Sequence, residues 1–105
     1  MITITKAAAR QIRLSMEETQ SEGMFLRIAA RRLQNGSLDY AMGFDNGDHN
    51  DSYSTSGGIE IVVAPTSTEL LAGAELDYVE MDDGNFHFIF INPNDREHVK
   101  PTGDG

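Results

Sequence analysis

The chain has 105 residues, of which 39% are hydrophobic and 24% are charged, and it carries a formal charge of −9 at neutral pH. This length allows one modest hydrophobic core, and no apolar run is long enough to span a membrane. The charge disfavours nucleic acid as a partner, and the lack of cysteine excludes disulfides, thiolate nucleophiles and thiolate metal ligands.

The amino-terminal segment predicts a short strand followed by a helix. Residues 2–5 alternate isoleucine with threonine and lack the basic and apolar stretches of a signal peptide, so we expect a cytoplasmic protein. Thr5 carries a hydroxyl suited to capping a helix over residues 6–20. Apolar residues recur four positions apart from Ala8 to Met16 and should form the buried stripe of this helix.

The next two strands are predicted to form a hairpin. Residues 24–33 alternate in character, and their even-numbered apolar side chains should point inward. Residues 34–37 read Gln-Asn-Gly-Ser, which is a turn signal. They precede a second strand over residues 38–44, in which Leu38 and Tyr40 share one face.

A polar loop and a short helix are predicted in the middle of the chain. Residues 45–58 are rich in Asp, Asn, Ser and Gly, which indicates a loop with at most a short edge strand around Tyr53. The β-branched residues of 59–64 predict a strand. Residues 66–69 have the spacing of a capping box, so we expect a short helix that ends at Gly73.

The last part of the chain predicts two more strands, over residues 76–81 and 86–91. The second is apolar on both faces, which is typical of a strand in the middle of a sheet. Residues 95–105 are polar and without apolar period, so we expect a flexible tail after a single domain over residues 1–94. These elements favour a mainly β (α+β) fold, a sandwich or partly open barrel with an N-terminal helix and one short helix.

Three stretches of sequence resemble one known family in their order and spacing. The first runs from Phe25-Leu26-Arg27 through Tyr40 and Phe44, the second is Leu76-Asp77-Tyr78-Val79, and the third is the closing Phe-Ile-Phe-Ile-Asn-Pro-Asn of residues 88–94. Together they resemble the A-type iron–sulfur cluster carriers, the HesB-like family of IscA-like and SufA-like proteins. This resemblance implies a HesB-like fold for most of the chain.

The chain departs from this family at the residues that hold the cluster. Family members carry one cysteine in the first hairpin turn and a Cys-Gly-Cys pair beyond Asn-Pro-Asn, and these positions fall on Asn35, Val99 and Pro101 here. Iron–sulfur clusters are held mainly by thiolates, which an amide, an isopropyl group or a proline ring cannot replace. The resemblance therefore implies degenerate ligand positions and no cofactor, as in the cysteine-free DsrR-type proteins associated with bacterial sulfur oxidation.

We expect a non-enzymatic adaptor or regulator, monomeric, that binds a protein partner in sulfur or iron–sulfur metabolism. We expect that the protein neither acts on a small-molecule substrate nor binds a membrane, and nucleic acid is disfavoured as a partner. The expected interaction surface lies around the degenerate ligand positions, because loops accept new tasks without disturbing a core. It consists of Arg31, Arg32, Gln34, Asn35, Gly36, Ser37 and Leu38, with the tail after Asn94.

A rival hypothesis is an iron-binding accessory protein of cluster assembly that uses carboxylate and histidine ligands. The candidate ligands are Asp45, Asp48, His49 and Asp51 in the polar loop and His98 in the tail. The loop lacks the glycine and glutamate that a calcium loop needs at its sixth and twelfth positions, so a solvated acidic loop is favoured.

A third hypothesis is an RNA-binding regulator that uses an arginine patch. The arginines concerned are Arg10, Arg13, Arg27, Arg31 and Arg32, and no nucleic-acid motif accompanies them. His87 lies between phenylalanines on the last predicted strand, which favours a buried, hydrogen-bonded structural histidine over a catalytic base.

Overall fold

Two mixed four-stranded sheets and two helices make up the described part of the chain, which is residues 2–101 of the computed structural model. The predicted mainly β fold is confirmed. The elements in chain order are β1 (Thr3–Ile4), α1 (Lys6–Glu18), β2 (Phe25–Arg32), β3 (Leu38–Asp45), β4 (Ser52–Ser56), β5 (Ile59–Val63), α2 (Pro65–Thr68), β6 (Glu75–Glu80), β7 (Phe86–Ile91) and β8 (Val99–Pro101).

The two sheets have strand orders β1-β6-β7-β8 and β3-β2-β5-β4. In the first sheet β1 runs parallel to β6, and in the second β2 runs parallel to β5, while all other neighbours are antiparallel. The predicted hairpin of β2 and β3 is confirmed, and its register pairs Arg32 with Leu38 at the turn. Strand β7 lies between β6 and β8, as its apolar faces predicted.

Helix α1 packs against both sheets, through β6 and β5. The predicted Thr5 cap is confirmed, since the amide of Ala8 donates to Thr5 Oγ1 at 3.2 Å and that hydroxyl donates to Asp77 Oδ1 at 2.6 Å. The helix is shorter than predicted because Gln20 has a φ of 55°, which no α-helix contains. Within residues 2–101, no helix is both long enough and apolar enough to cross a membrane.

The buried core follows the predicted alternation of the strands. Ile28 of β2 and Leu38 of β3 point inward and are completely buried, whereas Met42 and Phe44 near the end of β3 are half-buried. Phe90 of β7 is also completely buried, and its ring stacks on that of Tyr40 with 4.2 Å between the centroids. This stack joins the two sheets, because β3 belongs to one and β7 to the other.

The predicted capping box at the second helix is wrong. Helix α2 begins at Pro65, follows Ala64 and has no side-chain cap. Proline is well suited to the first helical position, because its fixed φ is already helical and its missing N–H would be unpaired there. Ser67 has another role. Its buried hydroxyl accepts from Ala30 N at 3.1 Å and donates to Ala30 O at 3.2 Å.

The predicted flexible tail is also wrong for residues 95–101. Asp95 is only 2% exposed, and Val99–Pro101 forms strand β8 against β7. This segment shows no apolar period because hydrogen bonds and ion pairs hold it in place. The rest of the predicted tail, residues 102–105, lies outside the described residues.

Candidate functional site

The structure brings together the two segments that contain the predicted degenerate ligand positions. Asn35 lies in the turn between β2 and β3, whereas Val99 and Pro101 lie in β8. The guanidinium of Arg96 lies across the junction, and its Nη1 donates to the carbonyl oxygen of Asn35 at 2.6 Å. The turn also contains Gly36 at a φ of 90°, a conformation that favours glycine.

The Asn35 side chain holds the shape of the turn. Its Oδ1 accepts from Ser37 N at 3.0 Å and from Ser37 Oγ at 2.7 Å. Such a bond from a short amide to the backbone two residues later is a common way to close a turn. The residue at this degenerate ligand position therefore stabilises the turn in which it lies.

Strand β8 presents its residues to two opposite sides. Lys100 faces the hairpin, where its Nζ donates to Leu38 O and lies 3.0 Å from Glu97 Oε1. Since successive side chains of a strand point to opposite faces, Val99 and Pro101 point away from the hairpin. Both residues are exposed, and 53% of Val99 is accessible to solvent.

A buried carboxylate fastens the carboxyl-terminal segment to the hairpin. Asp95 Oδ1 accepts from the amides of Leu38 at 3.2 Å and Glu97 at 3.0 Å, and its Oδ2 accepts from Tyr40 Oη at 2.9 Å. Burial alone would raise the pKa of Asp95, but these hydrogen bonds outweigh burial and hold the pKa below its ordinary value. Burial, and next the Asp95 carboxylate, raise the pKa of Tyr40.

The Asn-Pro-Asn sequence connects this cluster to the chain after α2. Asn92 is completely buried, and its Nδ2 donates to Leu70 O at 2.8 Å and to Tyr40 Oη at 3.2 Å. Asn94 Nδ2 donates to Ala72 O at 2.7 Å. We call Tyr40, Asn92, Asp95 and Lys100 the polar clasp, because together they hold residues 92–101 against the hairpin.

Sequence reasoning missed the polar clasp. The signal was an inward-facing tyrosine on β3, because a buried Tyr hydroxyl usually finds a hydrogen-bond partner. Tyr40 is 9% exposed, and its partners are Asp95 and Asn92.

The side chains at the three degenerate positions do not fit an iron–sulfur cluster. The amide of Asn35 is a hard oxygen donor that is already bonded within its turn, and the side chains of Val99 and Pro101 have no donor atom. The clasp itself offers one carboxylate, which accepts three hydrogen bonds. The three side chains therefore offer no set of ligands for a cluster.

Two of the predicted interaction residues are buried. Ser37 is 2% exposed and Leu38 is 0% exposed, so neither side chain can meet a partner. Leu38 points into the core, and its backbone groups are bonded to the clasp. The exposed part of the predicted surface comprises Arg31, Arg32, Gln34 and Asn35.

The candidate metal loop is arranged around the guanidinium of Arg27. Arg27 forms ion pairs with Asp45 and Asp51, and its Nη1 lies 3.0 Å from Asp51 Oδ1. Its guanidinium lowers the pKa of both carboxyls. His49 is exposed, and its Nδ1 lies 2.9 Å from Asp48 Oδ1.

The other candidate, His98, is exposed and lies outside this loop. Across residues 2–101, no three His, Asp or Glu side chains are grouped so that they could hold a metal ion.

The arginines are divided between different neighbours. Arg27 and Arg31 are each paired with carboxylates. Arg32 Nη1 donates to Gly36 O at 2.7 Å, at the end of β2, whereas Arg13 of α1 donates to Gly57 O at 3.0 Å in the turn before β5. Arg10 lines a separate depression between α1 and the sheet that contains β6 and β7. The predicted single patch is therefore wrong.

His87 is half-buried rather than buried. Its Nε2 lies 3.5 Å from Asp83 Oδ2, in the turn that joins β6 and β7. Position 87 is the second residue of β7, close to the exposed end of the sheet, which explains its accessibility. The residue pairs with a carboxylate of its own hairpin.

Comparison with known proteins identifies relatives along almost the whole chain. A family model described as iron–sulphur cluster biosynthesis matches residues 1–100. The uncharacterized protein SufA of Bacillus subtilis is 34% identical over 94 residues, which are 89% of this chain and 78% of that protein. The iron–sulfur cluster insertion protein ErpA of Nitrosococcus oceani is 31% identical over 94 residues, with 89% and 80% covered.

Solved structures share the fold. A crystal structure of IscA with the 2Fe-2S cluster has a TM-score of 0.69 at 28% identity and covers 89% of this chain and 83% of that one. SufA of Escherichia coli, involved in biosynthesis of iron–sulfur clusters, has a TM-score of 0.72 at 24% identity, with 99% and 90% covered, which shows the fold alone. The family match, the sequence relatives and this architecture agree. The chain belongs to the iron–sulphur cluster biosynthesis family of HesB-like, IscA-like and SufA-like proteins.

Proposed function

We propose that this protein is a non-enzymatic family member that does not carry a cluster and acts as a protein-binding adaptor or regulator. The observation that carries the proposal is the identity of Asn35, Val99 and Pro101 at the three degenerate ligand positions. Thiolates are soft, charged donors that hold iron–sulfur clusters, and none of these side chains supplies one. The fold is kept, so its surfaces remain available for partners.

The relatives support a role in iron–sulfur metabolism. The name of ErpA describes cluster insertion, and the IscA structure contains a 2Fe-2S cluster. We propose that this chain binds a protein of iron–sulfur metabolism or, as its DsrR-type resemblance suggests, of sulfur oxidation. Without a cluster to bridge two copies, the protein should act as a monomer.

The proposed partner surface is the hairpin tip, which we define as residues 31–35 with Arg96. Arg32 and Arg96 donate to the backbone carbonyl oxygens of Gly36 and Asn35, which leaves their positive charge available to a partner. Leu33 is 37% exposed between them and adds an apolar contact. Arginine beside an exposed apolar side chain is typical of interface centres, so this surface fits an acidic segment of a partner.

Anaerobic incubation with ferrous iron and sulfide should leave the purified protein without a stable cluster. After desalting, we expect neither the visible absorption of a cluster nor bound sulfide, because the ligand positions supply no thiolate. The protein should elute as a monomer before and after this treatment, as measured by light scattering.

The triple variant Asn35→Cys/Val99→Cys/Pro101→Cys provides the matched comparison, since all three positions are exposed. IscA, treated in parallel, shows that the conditions allow cluster assembly. Retention of a cluster by the unmodified chain, followed by its delivery to an apo-ferredoxin, would overturn the proposal.

Affinity capture from a native lysate tests the partner surface. A partner that the unmodified protein retains should be lost from an Arg32→Gln/Arg96→Gln variant, because the hairpin tip then loses two of its charges. A Lys6→Gln/Arg10→Gln variant changes the net charge equally on α1 and should retain the partner. Quantitative mass spectrometry measures both, and equal retention by all three proteins would exclude the hairpin tip.

A further inference from the structure

A second surface lies between the end of α1 and the start of β5. It is a depression of about 440 Å³ whose apolar walls include Met16, Met24 and Ile59. Gly23 and Gly58 also line it and leave it wide, since a Cβ atom added at Gly23 would meet no atom within 4 Å. We call this depression the methionine groove. A volume of this size accommodates a few apolar side chains of a ligand.

The rim of the methionine groove is acidic. Glu17, Glu22 and Glu60 line it, and all three are exposed. Arg13 is the cation that lines it, and this guanidinium donates to Gly57 O at 3.0 Å. The lining thus contains three carboxylates and one arginine, on a protein whose formal charge is −9. Both the local and the overall charge attract a cationic ligand.

The walls suit a helical ligand with an apolar face. Methionine side chains are flexible and polarizable, so they adapt to different apolar side chains, and grooves that bind amphipathic helices use them for this reason. Met16 and Met24 are both half-buried, with part of each side chain accessible. An apolar floor with an acidic rim complements a helix that has leucine-like residues on one face and lysine or arginine on its edges.

We infer that the methionine groove is a docking site for a cationic amphipathic helix of a protein partner. This inference deepens the proposed function and rests on it, because it assumes that the chain works by binding proteins. The groove adjoins the start of β2, whereas the hairpin tip follows the end of β2. The two surfaces are therefore roughly 30 Å apart at about 3.3 Å per residue, and one chain can hold an acidic and a basic partner at once.

The test uses a fluorescein-labelled peptide of about 14 residues made of leucine and lysine, with the leucines on one helical face. Fluorescence anisotropy should show saturable binding to the unmodified protein. In protein labelled at its methionine methyl groups, the NMR signals of Met16 and Met24 should shift on binding. Those of Met42 and Met81, which do not line the groove, should stay in place.

Charge-matched variants separate the groove from general attraction to an acidic protein. The Glu17→Gln/Glu22→Gln variant should bind the peptide about tenfold more weakly, as expected for the loss of two charges at close range in water. Glu69→Gln/Glu80→Gln removes the same charge from exposed positions outside the groove and should change binding less than about twofold.

Any one of four results would overturn the inference. The first is absence of any binding, and the second is equal weakening of binding in the two double variants. The third is a peptide of scrambled order that binds as well as the amphipathic one, and the fourth is methyl shifts at Met42 or Met81 instead of the groove methionines. None of these results bears on cluster uptake, so the reconstitution experiment judges the proposed function separately.

Discussion

Replacing Asp95 with alanine is expected to lower the free energy of unfolding by about 3 kcal/mol. The variant leaves three donors without their acceptor, namely the amides of Leu38 and Glu97 and the hydroxyl of Tyr40. Two of these donors belong to buried residues, where an unpaired polar group costs about 1–3 kcal/mol. Denaturant titration followed by circular dichroism measures the loss.

Asp39→Ala is the matched control for this prediction. Asp39 lies in β3 between Leu38 and Tyr40, the two hairpin residues bonded to Asp95. However, 49% of its side chain is exposed, and it pairs with Arg31, which is 76% exposed. Exposed pairs of this kind contribute about 0–1 kcal/mol. A similar loss of stability in the two variants would show that the buried clasp has no special role.

The Asp95 contribution should depend on pH. The folded protein lowers the pKa of Asp95, so the stability it contributes is complete above the unfolded pKa of about 3.9 and is lost as the pH falls through the lower folded pKa. The difference in the free energy of unfolding between the unmodified protein and the Asp95→Ala variant should therefore become smaller at acidic pH.

Phe90→Ala is expected to lower the free energy of unfolding by about 4 kcal/mol. Phe90 is completely buried at the junction of the two sheets, and its removal leaves a cavity beside the ring of Tyr40. The same titration measures this loss. Because the ring also supports Tyr40, the polar clasp should loosen, with faster amide exchange at Leu38.

Phe86→Ala tests whether burial is the cause. Phe86 belongs to the same strand and has the same side chain, but it is 54% exposed. We expect its replacement to cost less than about 1 kcal/mol. A comparable cost at both positions would mean that burial of Phe90 does not hold the two sheets together.

Strands β2, β3, β5, β6 and β7 and the first helix were predictable because apolar burial leaves a period in sequence. Leu26 and Ile28 alternate with exposed or half-buried neighbours along β2, and both are buried as predicted. Thr5 was recognisable as a cap because its hydroxyl precedes the periodic residues. These signals depend on neighbouring residues alone, which is why they survive in a single sequence.

The carboxyl-terminal segment could not be predicted in this way. Asp95 bonds to Leu38 and Tyr40, which lie 57 and 55 residues away in the chain, and no local pattern encodes such partners. A polar stretch that is held by hydrogen bonds looks like a solvated tail in sequence. The prediction of how α2 begins was wrong, and the reason is similar. Ser67 bonds to Ala30 across the fold and does not cap its own helix.

The position of the candidate site stays a prediction from the resemblance, whereas its construction came from the structure. The resemblance to the carrier family placed Asn35, Val99 and Pro101, and the structure brings their two segments together. The outward direction of Val99 and Pro101 depends on Lys100 facing the hairpin, which became visible only with β8 in place.

The polar clasp has a consequence for how the protein depends on its surroundings. Where a metal ion or cluster ties two segments of a chain, the free energy of binding it becomes part of the free energy of folding, and the protein unfolds when the metal is scarce. Here Asp95 and Lys100 tie the carboxyl-terminal segment to the β2–β3 hairpin with groups that the chain itself encodes. Under the proposed function, folding does not depend on the supply of iron and sulfide, and the protein should persist in a cell starved of both.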